Sequence, residues 1–247
     1  MRRLDGYLKD PYSEKDLPAK NLLRGARVIM LPEVFDCVKT PPLLDQGQTS
    51  ECVAFGDTLI RRIHELVELG SYPDFDPHLL YRRCKEKDGI PHLPGTYPRV
   101  ALDIMLKEGM PVRGYESKSI FPCMAPSKFH PGYKIGGYWR VRNESDPEIK
   151  EIIFRYGPLS VGSTWYDEWM GMRVATFPDP RTAGGGHHYV IGGWGPNGWR
   201  VLNSWGPDWG YEGTAYMPYE MFREYVLPEG DVWKLLDTVT ANRAFRL

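Results

Sequence analysis

The chain has 247 residues, of which 42% are hydrophobic and 13% aromatic, and its formal net charge is −1. A chain of this length can bury a large core, either as one domain or as two tightly joined lobes. The near-zero charge gives no electrostatic reason to expect a nucleic acid or an anionic membrane as a partner. No apolar run approaches the roughly 18 residues that indicate a membrane-spanning helix.

Residues 1–30 are polar and charged, contain Pro11 and Pro18, and show no sustained hydrophobic period. We interpret them as an N-terminal extension and expect it to pack across the outside of the molecule or partly over a cleft. The basic residues at its start are not followed by the apolar stretch of a secretory signal. This pattern predicts a cytoplasmic protein, with association with a virion or phage as the alternative.

The first long periodic segment begins at Cys52. Its apolar residues recur at three- and four-residue steps, which predicts one buried helical stripe that stops at Gly70. These apolar residues are Phe55, Leu59, Ile60, Ile63, Leu66 and Val67, with Arg61, Arg62, Glu65 and Glu68 between them. Shorter helices are predicted around 77–85 and over 100–107, the second one closed by Gly109.

The pattern changes after about residue 129. Strands are predicted over 133–141, 159–163, 189–194, 199–202 and 213–217, and a surface helix over 146–156, capped by Ser145 or Asp146. A Gly-Pro-Asn-Gly turn at 195–198 separates two of these strands. Helices followed by strands indicate an α+β fold with two lobes. The extension (1–30) would precede a helical lobe (31–129) and a β-rich lobe (130–247).

Cys52 lies in the predicted first turn of its helix, where unpaired backbone N–H groups and the helix dipole favour an anion. A thiolate nucleophile also needs a base, a group that orients the base, and donors for the developing oxyanion. His187 directly follows three glycines at the start of a predicted strand, and Asn203 follows on the next strand. The Gln46 side chain can place an amide N–H beside the Cys52 backbone N–H. The alternative for these residues is a purely structural role in the core or on the surface.

Four motifs resemble those of the papain-like cysteine peptidases, in the same order and at similar intervals. They are Pro32-Glu33 with Asp36; Gln46-Gly47 with Cys52 and Ala54-Phe55; His187 ahead of Gly193-Trp194-Gly195; and Asn203-Ser204-Trp205-Gly206. The resemblance spans residues 31–222. It implies a papain-like two-lobe fold, with a helical N-terminal lobe, a β-barrel-like C-terminal lobe and a cleft between them.

The resemblance also implies a reaction: hydrolysis of peptide bonds through a thioester acyl-enzyme, on a peptide or protein substrate, with no cofactor and no metal. Cys52 would be the nucleophile, His187 the acid and base, Asn203 its orienting partner, and Gln46 with the Cys52 N–H the oxyanion donors. The substrate-binding positions that it implies are Gly95, Thr96, Tyr97, Pro98, Gly186, His188 and Trp205. Trp205 would also cover the hydrogen bond between His187 and Asn203.

Some positions depart from the family pattern. Secreted members of the family have a cysteine at the position of Thr49. The family commonly has a serine at the position of Glu51, and usually a tryptophan at that of Val53 and a glycine at that of Thr96. The 30-residue extension is also shorter than the usual inhibitory propeptide. Two alternatives therefore stay open: a papain-fold peptide-binding or structural protein with little or no turnover, and a cell-wall peptide hydrolase or transpeptidase with the same chemistry.

The chain contains four cysteines, at positions 37, 52, 84 and 123, which are too few for a disulfide scaffold in a chain this long. Cys84 and Cys123 are spaced like the partners of one disulfide of the family that the chain resembles. Free thiols are nevertheless favoured, because no secretion signal is visible.

Overall fold

The computed structural model of the protein describes residues 5–37, 40–114 and 127–237. The α-helices are α1 (Cys52–Leu69), α2 (Pro77–Lys87), α3 (Pro98–Lys107), α4 (Asp146–Tyr156) and α5 (Tyr219–Met221), which continues as a π-helical turn over Phe222–Val226. Short 3₁₀ helices cover Ala19–Leu23, Pro131–Tyr133 and Asp167–Trp169. The strands are β1 (Phe35–Asp36), β2 (Met110–Val112), β3 (Lys128–His130), β4 (Ile135–Val141), β5 (Leu159–Tyr166), β6 (Ala183–Gly195), β7 (Gly198–Leu202), β8 (Thr214–Pro218) and β9 (Asp231–Asp237).

Helix α1 runs through the interior and packs against α2, α3 and strand β6. It begins at Cys52 and ends where Gly70 adopts a left-handed φ of 73°, as the sequence predicts. The charged residues between its apolar positions do not all form a solvent face, because Arg61 and Glu65 are buried too. The Arg61 guanidinium pairs with the carboxylates of Glu65 and Asp237, so the end of β9 covers this side of the helix.

The shorter helices begin where local chemistry satisfies their first N–H groups. The Asp76 carboxylate accepts the backbone N–H of His78 at 3.0 Å at the start of α2. Helix α3 begins at Pro98, two residues before the predicted start, because proline suits the first helical position. At α4 the Glu148 carboxylate accepts from both the backbone N–H and the hydroxyl of Ser145 at 2.7 Å. Ser145 is therefore the cap of α4.

Seven strands form one antiparallel sheet in the order β4-β9-β5-β6-β7-β8, with β1 paired to β6. Strands β6 and β7 meet at the Gly-Pro-Asn-Gly turn, where Gly195 pairs with Gly198. Strands β2 and β3 make a separate two-stranded sheet. The fold is α+β, as predicted. In the described residues the sheet is not a closed barrel, because β4 and β8 lie at its opposite ends.

Strand β9 carries no pattern that predicts it. Its residues are buried on both faces, and Asp231 and Lys234 are among them. Because side chains on both of its faces are buried, the strand has no polar face and therefore no two-residue alternation. Burial of charged residues further hides its strand character from the sequence.

The N-terminal extension follows the β-rich part of the molecule. The Arg140 backbone N–H donates to the Leu17 carbonyl at 2.7 Å, and the Tyr156 hydroxyl donates to the Leu22 carbonyl at 2.9 Å. The division of the chain at residues 30 and 129 stays a prediction. No helix in the described ranges is long and apolar enough to span a lipid bilayer.

Candidate active site

The Cys52 thiol lies at the N-terminus of α1 and is fully buried. Hydrogen bonds from the backbone N–H groups of His188, Val53 and Cys52 itself favour the thiolate, whereas burial and the charge of Asp5 oppose it. Burial is the largest of these effects and raises the pKa of the Cys52 thiol to about 12. The contact with the His188 N–H places the sulfur against β6, at the residue that follows His187 in the sequence.

His187 and Asn203 are brought together by the pairing of β6 with β7, and both are buried. The Nε2 atom of His187 lies 2.8 Å from Asn203 Oδ1, which also accepts the backbone N–H of Ser204 at 2.8 Å. Because an amide oxygen can only accept, Nε2 carries the proton and Nδ1 is the basic nitrogen of the neutral ring. The predicted orienting contact is therefore present in the structure.

Two tryptophans cover the imidazole. The ring centroids of Trp205 and His187 are 4.4 Å apart, and those of Trp165 and His187 are 4.7 Å apart at a near-perpendicular angle. The motif at 203–206 predicts Trp205, but sequence reasoning missed Trp165, because the predicted strand ends at residue 163 while β5 continues to Tyr166. Both indoles are buried and exclude water from the His187–Asn203 hydrogen bond, which strengthens it.

Gln46 is buried in the loop before α1 and ties that loop to the end of β7. Its side-chain oxygen accepts from the Ser204 hydroxyl at 2.7 Å, and its side-chain nitrogen donates to the Thr49 carbonyl at 2.7 Å. An amide nitrogen carries two hydrogens, so one remains for an oxyanion. The oxygen of the carboxamide thus holds Gln46 beside Ser204, and the nitrogen ties it to its own loop.

The first described residues of the extension pass over Cys52; we call residues 5–10 the strap. Gly6 is so close that an added Cβ would lie 2.6 Å from the Cys52 sulfur. The Thr96 backbone N–H donates to the Gly6 carbonyl at 3.2 Å, and the Leu8 N–H donates to the Thr96 carbonyl at 3.0 Å. On the other side the strap forms a β-bridge with Gly186. The strap therefore connects the two walls of a cleft with the nucleophile at its floor.

The remaining predicted substrate-binding residues occupy different places. An added Cβ on Gly95 would lie 2.2 Å from the Asp5 carbonyl, so this glycine borders the strap. Tyr97 and Pro98 form the start of α3 behind Thr96. The His188 side chain points into the interior instead, as the alternation along a strand predicts.

The environment of His188 explains why its side chain does not serve the cleft. Its Nε2 atom lies 2.8 Å from the Ser160 hydroxyl and 3.8 Å from the Asp57 carboxylate. Burial, followed by the charge of His187, lowers the pKa of His188 to about 3. Only the backbone N–H of His188 contacts the sulfur, so this residue contributes its main chain and not its imidazole.

The departures from the family pattern are accommodated locally. The Thr96 hydroxyl donates to Asp88 at 3.1 Å, and only the Thr96 backbone pairs with the strap. Glu51 lies 2.6 Å from His78 Nδ1, which offsets a carboxylate next to the thiol. Val53 is buried within α1. None of these three substitutions removes a hydrogen bond from the site described above.

The structure describes two of the other three cysteines. Cys37 and Cys84 are buried free thiols, and Cys123 lies outside the described residues. Across 5–37, 40–114 and 127–237, no three histidine, cysteine, aspartate or glutamate side chains gather in a way that could hold a metal ion.

Known proteins match most of this chain. The model of the papain family cysteine proteases matches residues 78–226, which include His187 and Asn203 but begin after Cys52. The viral cathepsin of Heliothis zea nuclear polyhedrosis virus is 23% identical over an alignment of 226 residues, and the match covers 84% of this chain and 58% of that protein. Cathepsin K of Gallus gallus is 24% identical over an alignment of 201 residues, and the match covers 73% of this chain and 56% of that protein. The chain thus spans little more than half the length of these relatives.

Similarity also extends to solved structures. Xylellain, a cysteine protease from Xylella fastidiosa, matches with a TM-score of 0.74 at 21% sequence identity, covering 96% of this chain and 98% of that chain. At this identity the match shows a shared fold, and it covers nearly all of both chains.

Proposed function

Because the chain belongs to the papain family of cysteine proteases, we propose that it hydrolyses peptide bonds through a thioester on Cys52. One observation carries the proposal. The Cys52 thiol at the N-terminus of α1 accepts a hydrogen bond from the His188 backbone N–H. The preceding residue, His187, has its imidazole hydrogen-bonded to Asn203. This arrangement supports the proposal, because acyl transfer by cysteine needs at minimum a sulfur nucleophile and an oriented base.

Proton transfer in the proposed reaction passes through one imidazole. The Cys52 sulfur attacks the carbonyl carbon of a peptide bond and its proton passes to His187. The carbon–nitrogen bond then breaks, and His187 returns the proton to the leaving amine while the acyl group stays on sulfur. A water molecule gives a proton to His187, attacks the thioester and releases the acid, which restores the thiol. Asn203 keeps Nε2 occupied throughout, so Nδ1 exchanges every proton.

The oxyanion that forms at the carbonyl oxygen needs hydrogen-bond donors. The Cys52 backbone N–H is the first, because an N–H at a helix N-terminus has no partner within the helix. The free amide hydrogen of Gln46 is the second. Donors of this kind act best where they are already held in place, and the two bonds of the Gln46 carboxamide to Thr49 and Ser204 hold it.

The proposal is tested by hydrolysis of casein and by labelling with a peptidyl epoxide. Substitution Gly6→Val, which lifts the strap from the sulfur, provides the open form. We expect hydrolysis by this variant, loss of hydrolysis when Cys52→Ala is added, and one epoxide mass on Cys52. The matched control is Cys84→Ala, which removes a buried free thiol on α2. This substitution should leave hydrolysis unchanged.

Two results would contradict the proposal. One is hydrolysis that persists after Cys52→Ala. The other is recovery of intact casein peptides bound to the open variant with Cys52 still reduced, which would indicate a peptide-binding protein without turnover.

A further inference from the structure

His188 on strand β6 contacts helix α1 at two points. Its backbone N–H donates to the Cys52 sulfur at the start of the helix. Its imidazole lies against the helix one turn further on, because an added Cβ on Gly56 would lie 2.4 Å from His188 Nδ1. Gly56 is thus the position at which α1 leaves room for the ring. Together the two contacts fix how α1 lies along β6.

The sheet holds the main chain at His188 from one edge only. On the β5 side, His188 pairs with Gly162. On the β7 side, the pairing begins at Val190, so the His188 N–H lies beyond the end of that ladder and is available to the sulfur. The direction of this N–H therefore depends on what holds the rest of the residue.

The His188 imidazole is held by two other buried polar side chains. Its Nε2 atom lies 2.8 Å from the Ser160 hydroxyl on β5. The Asp57 carboxyl on α1 lies 3.8 Å from the same Nε2 atom and interacts with the Ser160 hydroxyl. All three side chains are fully buried, and they join α1, β5 and β6. We call Asp57, Ser160 and His188 the polar cluster.

The polar cluster keeps its imidazole uncharged. Burial, followed by the charge of His187, lowers the pKa of His188 to about 3. Burial also raises the pKa of Asp57 to about 7, although the Ser160 hydroxyl favours the carboxylate. A neutral carboxyl donates a hydrogen bond and an ionised one accepts it, and a hydroxyl serves both directions. In both states no second cation lies beside the His187 imidazolium that the proposed reaction forms.

We propose that Asp57 and Ser160 are positioning residues that act through His188. They hold its imidazole against α1 and thereby hold its backbone N–H at the Cys52 sulfur. The inference rests on the proposed function, since the anion that this N–H stabilises is the nucleophile of that reaction. Apolar side chains of the same size would fill the space, but their packing is non-directional. Hydrogen bonds fix both distance and angle, which is what an oriented donor requires.

The test measures the thiolate directly, in the open form provided by Gly6→Val. Alkylation of Cys52 by iodoacetamide is followed from about pH 5 to 10 after adding Asp57→Leu, Asp57→Asn or Ser160→Ala. Leucine and alanine remove the polar contact, whereas asparagine keeps a donor and an acceptor in the same place. The matched control is Thr58→Val. Thr58 is the next residue on α1, is fully buried, and has a hydroxyl without a hydrogen-bond partner within the described ranges.

We expect the alkylation rate at neutral pH to fall about tenfold in Asp57→Leu and in Ser160→Ala. The reason is that loss of a hydrogen bond to the charged sulfur lowers the thiolate fraction. The pH midpoint of alkylation should rise by about one unit. Asp57→Asn and Thr58→Val should keep the rate and the midpoint of the open form. Urea unfolding shows which variants are folded, and if Asp57→Leu is not, Ser160→Ala decides because it removes a single oxygen.

Three results would overturn the proposal: an unchanged rate in Ser160→Ala, equal losses in Asp57→Asn and Asp57→Leu, or the same loss in Thr58→Val. Alkylation needs no substrate, so this readout is independent of turnover. An open form that hydrolyses no peptide but follows the expected ranking of alkylation rates would refute the proposed function and leave the positioning role standing.

Discussion

At the scale of single residues, the Cys52 thiol experiences two opposed influences. Three backbone N–H groups at the helix tip and on β6 favour the anion, whereas complete burial under the strap disfavours it and dominates, so the pKa is raised. A nucleophilic cysteine acts as its thiolate. The covered site therefore holds the protonated, unreactive thiol. Removal of the strap would relieve the burial and leave the N–H groups in place.

Gln46 provides a prediction at the same scale. In the strap-free form, Gln46→Ala removes one oxyanion donor, and we expect kcat to fall about 100- to 1,000-fold with little change in KM, because the lost hydrogen bond forms only in the transition state. Steady-state hydrolysis of a fluorogenic peptide by the Gly6→Val background measures both constants.

Gln48 offers the matched control for this substitution. It lies in the same loop but is exposed, so Gln48→Ala should leave kcat unchanged. Equal effects of the two substitutions, or a change confined to KM, would show that Gln46 does not stabilise the oxyanion.

At the scale of structural elements, the strap differs from an ordinary surface arm because its backbone pairs with both cleft walls. The Asp10 carboxylate accepts the Arg99 backbone N–H at 3.1 Å and the Trp233 indole N–H at 2.9 Å. Together with the Tyr7–Asp231 hydrogen bond, these contacts anchor the strap on α3 and β9. They explain how the strap is held over the nucleophile.

Substitution of Gly6 tests whether the strap limits access to the Cys52 sulfur. Gly6→Val places a Cβ 2.6 Å from the Cys52 sulfur and 3.0 Å from the Ser50 backbone. Overpacking of this kind costs about 1–3 kcal/mol, so the covered form should be disfavoured by about 5- to 150-fold. We expect alkylation of Cys52 by iodoacetamide at neutral pH to accelerate accordingly relative to wild type.

The control for the strap is Gly171→Val, since nothing lies within 4 Å of an added Cβ at that position. It should leave the alkylation rate at its wild-type value. If Gly6→Val also leaves the rate unchanged, with mass spectrometry confirming that Cys52 is the labelled residue, the strap does not limit access to the sulfur.

At the scale of the whole molecule, the sequence predicts those structural features that have a local hydrophobic period or match a known motif. The period of α1 and the stop at Gly70 are visible in the sequence, as is the turn at 195–198. Contacts between distant residues carry no such signal. Neither the position of Gly6 on Cys52 nor the contact of Trp165 with His187 leaves a local pattern. Strand β9 is hidden for a related reason, because its charged residues are buried against other elements.

Lys234 on β9 gives a prediction about global stability. It is fully buried and donates to the Pro158 carbonyl at 2.9 Å, and burial lowers its pKa to about 7. In the unfolded chain the lysine keeps its proton to about pH 10. The unfolded state therefore binds more protons between these values. By linkage, the contribution of Lys234 to the free energy of unfolding rises with pH in that window.

We expect the free energy of unfolding of wild type to increase relative to that of Lys234→Met as pH rises from about 6 to 9. The difference should change by at most about 1.4 kcal/mol per pH unit. Urea unfolding of both proteins at several pH values measures the difference, in which groups away from Lys234 cancel. The exposed Lys87 on α2 is the control, and Lys87→Met should differ from wild type by a constant amount. A pH-independent difference for Lys234→Met would mean that the buried amine keeps its proton on folding.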